Sequence, residues 1–334
     1  MQKFLVTGGA GFIGSNFIRH MLRKYDHLHI TNLDKLTYAG NLENLRDLKG
    51  HANYHFVKGD ICDSALVNEL MEDMDVVVNF AAESHVDRSI SGPDAFIRTD
   101  VFGAFTLLEA ARRYEVKKFI QISTDEVYGS TLGRGFLETD PLMPSSPYSA
   151  SKAGADRLAF SYFVTYNLPV ILTRCSNNFG PYQYPEKLIP LFVTNALENK
   201  PLPIYGDGQY VRDWIHVEDH CAAIDFVWQH GANGEAYNIG GGNERTNLEI
   251  TDFILSYLNK PQSLKTYVQD RPGHDRRYSL DCNKLAAMGW KPKYELESAL
   301  QNTIDWYREN RWWWEKLKSG EYLDYYKKHY GRTL

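Results

Sequence analysis

Cysteine is scarce in this 334-residue sequence, which contains four in all. They lie far apart and form no C-x-x-C pair: Cys62, Cys175, Cys221 and Cys282. This spacing favours reduced, packed thiols over a disulfide framework. His216 and His220 have helical spacing, but the segment between them does not read H-E-x-x-H. We therefore predict an ordinary helix start there and no metal site.

Long apolar runs and basic tracts are also missing. No stretch reaches the roughly 18 apolar residues of a membrane span, and the chain enters a predicted strand at once, without a signal-peptide pattern. The formal net charge is −5 and no run of Lys or Arg forms a basic tract, a balance that disfavours nucleic acid as a partner. These absences predict a cytoplasmic protein with no membrane and no nucleic-acid partner.

A glycine-rich turn lies near the N-terminus, between a short apolar strand and an amphipathic segment. Residues 8–14 read GGAGFIG and satisfy the G-x-G-x-x-G spacing, which lets a backbone turn and helix N-terminal amides approach a pyrophosphate. Asp34 lies 20 residues after the last glycine, at the end of the second predicted strand. Its carboxylate can accept from adenosine ribose hydroxyls and would repel a 2′-phosphate. We predict NAD+ in preference to NADP, with the neighbouring Lys35 as the one feature against that preference.

The order of apolar runs predicts an α/β fold. Short, non-alternating runs are typical of parallel strands covered on both faces, and they occur at 4–7, 28–33, 54–57, 76–80, 119–122 and 170–173. Helical patterns lie between them near 12–24, 64–72, 94–114 and 148–166. After about residue 176 the chain becomes rich in Gly, Pro and Asn. We predict a doubly wound parallel sheet (Rossmann) in an NAD-binding domain at 1–176 and a smaller, loop-rich C-terminal substrate lobe at 177–334, with a crossing of the chain back between them left open.

Two short segments carry titratable side chains about twenty residues apart. Tyr148 and Lys152 lie on the same helix face, so the ammonium can sit beneath the phenol and favour its ionised form. Lowering a phenol pKa from about 10 to about 7 requires roughly 4 kcal/mol, which a close lysine and a bound nicotinamide could supply together. Asp125 and Glu126 add an acid and a base that simple hydride transfer does not need. The sequence therefore predicts chemistry beyond alcohol oxidation.

With these motifs in order, the chain resembles the extended short-chain dehydrogenase/reductases that act on nucleotide sugars. The resemblance covers nearly the whole length and rests on the segments at 8–14, 81–90, 123–129, 148–152, 175–181, 186–190, 212–214 and 270–278. In the 4-epimerases of this family the acidic pair is absent from the segment matching 124–126. The pair therefore favours the dehydrating members of the family. This resemblance implies dTDP-glucose as the substrate, tightly held NAD+ and a homodimer. The residues by themselves leave open whether the nucleotide of the substrate carries thymidine or uridine.

The resemblance also implies a role for each catalytic side chain. Tyr148 takes the proton of the C4 hydroxyl, with Lys152 and Thr124 beside it, while NAD+ takes the C4 hydride. Glu126 then removes the C5 proton, and a protonated Asp125 donates to the departing C6 hydroxyl. Return of the hydride to C6 gives a 4-keto-6-deoxy sugar and regenerates NAD+.

Further binding residues follow from the matched motifs. The predicted cofactor-binding residues are Gly8, Gly11, Phe12, Ile13, Gly14, Asp34, Lys35, Leu36, Thr37, Asp60, Ile61, Phe80, Ala81, Ala82, Ser84, Thr99, Tyr148, Lys152 and Asn178. The predicted substrate-binding residues are Ser84, Thr124, Asn177, Lys187, Leu188, Pro203, Ile204, Tyr205, Arg212, Asn247, Asp270, Arg271, Pro272, Gly273, His274 and Tyr278. Among them the arginines suit bidentate pairing with phosphate.

Three alternatives stay open at this point. A 4-epimerase or decarboxylase of the same fold would use the Tyr-Lys pair but has no task for the acidic pair. An NAD-binding scaffold without turnover would be expected to have lost Tyr148 or Lys152. The helical patterns near 94–114 and 148–166 either pair with their symmetry mates in a dimer or simply pack on their own sheet.

The aromatic segment 312–314 is expected to pack against the lobe rather than to bind a ligand.

Overall fold

The computed structural model describes residues 2–319, 322–323 and 326–327; the end of the predicted C-terminal lobe therefore lies partly outside the described residues. The strands are β1 (Gln2–Thr7), β2 (Leu28–Asp34), β3 (Tyr54–Lys58), β4 (Val76–Asn79), β5 (Lys118–Thr124), β6 (Val170–Cys175), β7 (Asn177–Phe179), β8 (Leu202–Tyr205), β9 (Val211–His216), β10 (Ala236–Ile239), β11 (Glu244–Thr246) and β12 (Lys265–Val268).

The helices alternate with these strands. They are α1 (Phe12–Lys24), α2 (Ser64–Met71), α3 (Val86–Ser91), α4 (Asp94–Phe96), α5 (Ala104–Arg113), α6 (Pro147–Tyr166), α7 (Leu188–Leu197), α8 (Val217–His230), α9 (Asn247–Tyr257), α10 (Asn283–Ala287), α11 (Leu296–Glu309) and α12 (Arg311–Leu317). A π-helical stretch at Ile97–Gly103 joins α4 to α5, so the helix predicted near 94–114 forms with one irregular turn. None of the helices in the described residues has the length and apolarity needed to cross a membrane.

Seven strands form one parallel sheet in the order β10-β6-β5-β4-β1-β2-β3. Alternate side chains of β1 enter opposite cores: Phe4 and Val6 pack with α1 and α8, and Leu5 packs with α2 and α5. All three are fully buried. Burial on both faces explains why the strand runs do not alternate with polar residues. The predicted doubly wound sheet is confirmed, and the six predicted strands form as β1 to β6 in chain order.

The seventh strand comes from the far side of the predicted boundary at residue 176. The strand β10 pairs with β6 at the edge of the sheet, and α8 packs its buried face on α1. Residues 217–239 therefore return to the N-terminal sheet after the chain has entered the lobe. The crossing that the sequence left open does occur, although the two-domain division itself stays a prediction.

A second core lies among β7, β8, β9, α7, α9, α11 and α12, which form a smaller body. It contains a three-stranded sheet in the order β11-β9-β7 and a two-stranded sheet of β12 and β8. Trp313 and Trp314 are buried in its core, and their indole nitrogens donate to Asn44 Oδ1 at 2.8 Å and to the Tyr307 carbonyl at 2.7 Å. Trp312 stays 40 % exposed. Two of the three tryptophans thus pack as the helical spacing predicted.

A buried ion pair fastens β6 to α6, the helix that carries Tyr148. Arg174 Nε and Nη2 donate to the two carboxylate oxygens of Asp156 at 2.8 and 2.9 Å, and both residues are almost fully buried. We expect Arg174→Met to lower the free energy of unfolding by about 3 kcal/mol, because it leaves a buried carboxylate without its main partner. Urea unfolding measures this change. Arg311→Met, which removes an exposed ion pair, should cost less than about 1 kcal/mol, and equal losses would contradict the prediction.

Candidate active site

Two adjoining cavities open where the parallel strands end. The first cavity runs from the glycine turn at 8–14, past the ends of β2 and β4, to Tyr148 and Lys152. The second cavity continues from there toward Arg212 and Arg271. Glu126 lines both cavities. Ligands of open α/β sheets bind at this edge, so the location agrees with the sequence interpretation.

The glycine turn presents bare backbone to the first cavity. Gly8 has φ +67°, and a Cβ there would lie 2.6 Å from the Ala81 nitrogen, so a side chain has no room. A Cβ on Gly14 would lie 2.4 Å from the Gly8 carbonyl oxygen. The first turn of α1 starts at Gly11 without a side-chain cap, which leaves its N–H groups available to an anion. The turn therefore fits a dinucleotide pyrophosphate.

Asp34 is held rigidly at the end of β2. Its Oδ2 accepts from the Ala10 N–H at 2.9 Å and its Oδ1 accepts from the Leu36 N–H at 2.8 Å. Burial raises its pKa, and these two N–H bonds oppose the rise. Lys35 pairs with Asp60 at 2.8 Å, so its charge is neutralised by protein rather than directed at a 2′-phosphate. Because Lys35 is paired in this way, its charge no longer argues for NADP over NAD+.

Nearly the whole predicted cofactor set meets in the first cavity. Its members there are Gly8, Gly11, Phe12, Ile13, Gly14, Asp34, Lys35, Thr37, Asp60, Ile61, Phe80, Ala81, Ala82, Ser84, Thr99, Tyr148, Lys152 and Asn178. Leu36 does not line the cavity; it adopts a φ of 57° and contributes its N–H to Asp34 instead. The chemistry of this surface, with backbone amides at one end and a buried carboxylate at the other, fits NAD+.

The acidic pair follows directly on the end of β5. Thr124 caps the short 3₁₀ helix at Asp125–Tyr128, and its hydroxyl also donates to Asp125 Oδ1 at 3.1 Å. Asp125 Oδ2 is buried and has no hydrogen-bond partner among the described residues. Burial, with a further contribution from the Glu126 charge, raises the pKa of the Asp125 carboxyl to about 8. Asp125 is therefore protonated at neutral pH and can donate a proton into the site.

Glu126 has a different electrostatic environment although it is the next residue. Burial raises its pKa, but the positive charges of Arg271, Lys187 and Arg212 oppose the rise. Those cations favour the carboxylate form. Its Oε2 accepts from the Tyr278 hydroxyl at 3.4 Å. The two neighbouring acids thus lie in different electrostatic environments, and the cations near Glu126 suit the base of an acid–base pair.

The Tyr148–Lys152 pair lies in a buried environment. Burial, together with the charges of Glu126 and Asp100, raises the pKa of Tyr148 well above its usual value. Burial lowers the pKa of Lys152, whose ammonium donates to the Ile122 carbonyl at 2.8 Å. In the chain by itself the phenol is therefore protonated, because desolvation outweighs one nearby cation. The lowered phenol pKa, which includes the charge of a bound nicotinamide, stays a prediction.

Most of the predicted substrate set meets in the second cavity. Its members there are Asn177, Lys187, Leu188, Pro203, Ile204, Tyr205, Arg212, Asn247, Arg271, His274 and Tyr278. Ser84 and Thr124 line the first cavity. Asp270, Pro272 and Gly273 line neither; Asp270 instead accepts from the Arg271 N–H at 2.9 Å and contacts His274 Nδ1 at 2.7 Å. These three residues shape the loop rather than face the cavity.

The second cavity is rich in positive charge and amide groups. Arg271 is held by Asp87 at 3.0 Å, and the guanidinium carbon of Arg212 lies 4.2 Å from the centre of the Tyr278 ring. The side-chain oxygens of Asn177 and Asn247 are buried without a partner among the described residues. Fixed guanidinium groups suit phosphate oxygens, and the unpaired amide oxygens can accept from ribose hydroxyls.

The comparisons with known proteins agree with this geometry. The family model of GDP-mannose 4,6 dehydratase matches residues 5–303. A dTDP-glucose 4,6-dehydratase of Xanthomonas campestris pv. campestris (strain B100) is 51% identical, over 96% of this chain and 97% of the relative. The solved dTDP-glucose 4,6-dehydratase of Bacillus anthracis, in complex with NAD, is 53% identical, with a TM-score of 0.89 over 95% of this chain and 100% of that one. That of Streptomyces venezuelae, also with NAD bound, is 50% identical, with a TM-score of 0.93 over 95% of this chain and 100% of that one.

The chain belongs to the dTDP-glucose 4,6-dehydratase family. Membership confirms the resemblance to extended short-chain dehydrogenase/reductases and the predicted Rossmann fold. It also favours the dehydratase interpretation over the epimerase.

Several cavity residues of this family member were missed by sequence reasoning. In the second cavity these are His85, Val86, Asp87, Glu186, Leu191, Phe192 and Trp214. Most lie inside motifs that carried the resemblance, at 81–90, 186–190 and 212–214. Each motif was therefore recognised, but which of its side chains face the cavity was not.

The two histidines of the predicted helix start, His216 and His220, do not line either cavity. His220 Nδ1 contacts Asn178 Oδ1 at 2.9 Å, and the His216 ring lies 4.2 Å from that of Tyr294. Within the described ranges, no three His, Cys, Asp or Glu side chains are grouped to hold a metal ion.

Proposed function

We propose that this protein converts dTDP-glucose to dTDP-4-keto-6-deoxyglucose, a deoxysugar precursor, with NAD+ regenerated in each turnover. The observation that carries the proposal is the acidic pair. A protonated Asp125 and a Glu126 surrounded by cations face the same cavity as Tyr148 and Lys152. Epimerisation at C4 needs no such pair, whereas elimination of water across C5 and C6 needs both an acid and a base.

The first step removes hydrogen from C4 of the hexose. When bound, NAD+ supplies hydride acceptance at C4 and hydride return at C6. Tyr148 Oη takes the proton of the C4 hydroxyl once the positive charge of bound NAD+ adds to that of Lys152 and ionises the phenol. The Thr124 side chain, at the end of β5, lines the same cavity. Lys152, held by the Ile122 carbonyl, contributes positive charge that favours the ionised phenol as the reaction proceeds.

The second step removes water from C5 and C6. The C4 ketone acidifies the C5 proton, which Glu126 removes. Asp125 Oδ2 has no partner among the described residues, so its proton is available to the departing C6 hydroxyl. The proton held by Glu126 then returns to C5. The cycle closes when Tyr148 releases the proton that it took from the C4 hydroxyl and Asp125 regains a proton from water. We assign the nucleotide diphosphate to the second cavity, with Arg212, Arg271 and Lys187 as its cationic partners.

A direct assay tests the proposal. The protein is incubated with dTDP-glucose carrying labelled hydrogen at C4, and products are scored as a 4-keto sugar, by its alkali-induced absorbance, or as a galactose sugar. We expect the keto product with the label at C6 of the same molecule. A galactose product, or extensive exchange of the label with added cofactor, would reject the proposal. Competition between dTDP-glucose and UDP-glucose decides the nucleotide.

The pH dependence of elimination follows from Asp125. Because its pKa is raised to about 8, the carboxyl keeps its proton below that pH and loses it above. We therefore expect the rate of water loss, followed in single turnovers, to fall as the pH rises through about 8. Asp125→Asn should be slower by about 10²–10⁴-fold and should lack this alkaline decline. A variant that retains the same decline would assign it to another group.

We also infer a homodimer, formed through the helical face of residues 97–105 and the end of α6. Five large apolar side chains there are 40–62 % exposed: Ile97, Phe102, Phe105, Val164 and Tyr166. Exposed apolar clusters of this kind are typical of interaction sites. Both helices bury their inner faces on the chain's own sheet, and the exposed apolar side chains on their outer faces, together with the family resemblance, support a second copy as the partner.

A single charge tests the dimer. Phe105→Asp places a carboxylate in the inferred interface, so we expect the dimer dissociation constant to rise by at least about tenfold, given the apolar area lost and the charge desolvated. Sedimentation velocity at several concentrations measures it. Leu132→Asp is the matched control, because Leu132 is 84 % exposed on a loop outside this face. A wild-type monomer, or equal weakening by both variants, would refute the interface.

A further inference from the structure

A chain of hydrogen-bonded side chains leads from Glu126 to the protein surface. Glu126 Oε2 accepts from the Tyr278 hydroxyl at 3.4 Å, and that hydroxyl lies 2.9 Å from Asp275 Oδ2. The same Asp275 oxygen accepts from the hydroxyl of Ser145. Along this path Glu126 and Tyr278 face the cavities, and Asp275 is half-buried, so Asp275 is itself the solvent end of the path. The exposed Ser145 is a side branch on the same oxygen. The path therefore connects the proposed base with bulk water.

Arg212 holds Tyr278 and Asp275, two members of this hydrogen-bonded path, in place. Its guanidinium carbon lies 4.2 Å from the centre of the Tyr278 ring, and its Nη2 donates to the Asp275 carbonyl at 3.0 Å. Tyr278 is the one side chain hydrogen-bonded to the Glu126 carboxylate in the part of the chain that the structure describes. Burial raises the pKa of the Tyr278 phenol far above its usual value, so this hydroxyl stays neutral and can both accept and donate a proton.

We propose that Tyr278 and Asp275 form a proton relay that exchanges the proton on Glu126 with solvent during turnover. This inference rests on the proposed function, in which Glu126 receives the C5 proton. The relay moves protons only. The proton on Glu126 Oε2 passes to Tyr278 Oη, the hydroxyl proton of Tyr278 passes to Asp275 Oδ2, and Asp275 releases one proton to water. The reverse sequence brings a solvent proton to Glu126, which then returns it to C5.

The relay matters because the hexose closes the direct route. Glu126 lies where the two cavities meet, and a nucleotide sugar spanning them would exclude water from its carboxylate. Tyr278 and Asp275 reach Glu126 from the side of the 275–278 loop. Asp275 lines neither cavity, so it acts on the reaction through Tyr278 and Glu126 rather than by touching the sugar.

Single turnovers in D₂O test the relay. The product's C5 position is analysed for deuterium, with preformed product incubated in parallel to correct for exchange at the carbon next to the ketone. We expect wild type to incorporate solvent deuterium at C5. Asp275→Asn should still form the keto product but return the original hydrogen, so that deuterium at C5 falls by about tenfold. Tyr278→Phe also alters a cavity-lining side chain and is expected to turn over more slowly, but the product that it forms should show the same fall in deuterium. A change in structure alone would slow turnover without altering this isotopic fraction.

Ser145→Ala is the control, because Ser145 bonds the same Asp275 oxygen but does not lie between Asp275 and Glu126. It should keep the wild-type deuterium content. Full deuterium in both relay variants, loss of deuterium in Ser145→Ala, or protonated C5 in the wild type would each overturn the relay. An Asp275→Asn protein that folds but forms no keto product would also overturn it, since Asp275 lines neither cavity and the relay is not needed for elimination. Absence of the keto product in wild type would instead overturn the proposed function.

Discussion

Replacing Glu126 by Gln is expected to stop water loss while C4 oxidation continues. The substitution keeps the size of the side chain and an acceptor for the Tyr278 hydroxyl, but the amide cannot take the C5 proton. We expect elimination to slow by about 10²–10⁴-fold, the usual contribution of a positioned base. Mixing the variant with dTDP-glucose should therefore leave the cofactor reduced, which its absorbance reports, with little keto product.

Glu43→Gln is the matched control, because Glu43 is exposed on the short 3₁₀ helix at Leu42–Leu48. It should behave as wild type in both measurements. A Glu126→Gln enzyme that dehydrates at full rate would show that the C5 proton leaves by another group. One that cannot oxidise C4 would show that Glu126 serves binding or oxidation instead.

Tyr148→Phe is expected to abolish the reaction at its first step. The phenyl ring retains the edge contact with Phe96, whose ring centre lies 6.2 Å from that of Tyr148, so the fold should be kept. The hydroxyl that accepts the C4 proton is lost, and we expect C4 oxidation to slow by about 10²–10⁴-fold. Neither reduced cofactor nor keto product should accumulate.

Absorbance of the reduced cofactor and the yield of keto product measure the effect of Tyr148→Phe. Tyr267→Phe serves as the control, since Tyr267 is 57 % exposed on β12. The two predictions separate the steps: Glu126→Gln blocks after oxidation, whereas Tyr148→Phe blocks before it. A Tyr148→Phe protein with unchanged turnover would remove Tyr148 from the mechanism and reopen the possibility of a different base.

Several features could be predicted because they depend on residues close together in sequence. The glycine turn at 8–14 follows from spacing, and the strands at 4–7 and 28–33 follow from short apolar runs. The adjacency of Asp125 and Glu126 follows directly from the chain. β10 was not predicted, because it has only four residues and pairs with β6, whose sequence is more than sixty positions away.

Other features could not be predicted because they depend on which way each side chain faces in the folded protein. Leu36, Asp270 and Gly273 stand in the right motifs, yet the backbone turns their side chains or atoms away from both cavities. The pairing of Lys35 with Asp60 brings together two residues from successive strand ends. A motif identifies a segment, whereas only the folded backbone decides which of its side chains face the ligand.

By itself the sequence determined the fold class, the nucleotide turn and the identity of the proposed acid and base, since periodicity and spacing are local properties. The tertiary structure alone decided their electrostatic environments. Burial raises the pKa of Asp125 to about 8, while Arg271, Lys187 and Arg212 oppose the same effect at Glu126. Because a pKa depends on desolvation and on charges brought near from distant parts of the chain, two adjacent carboxylates acquired different roles only on folding.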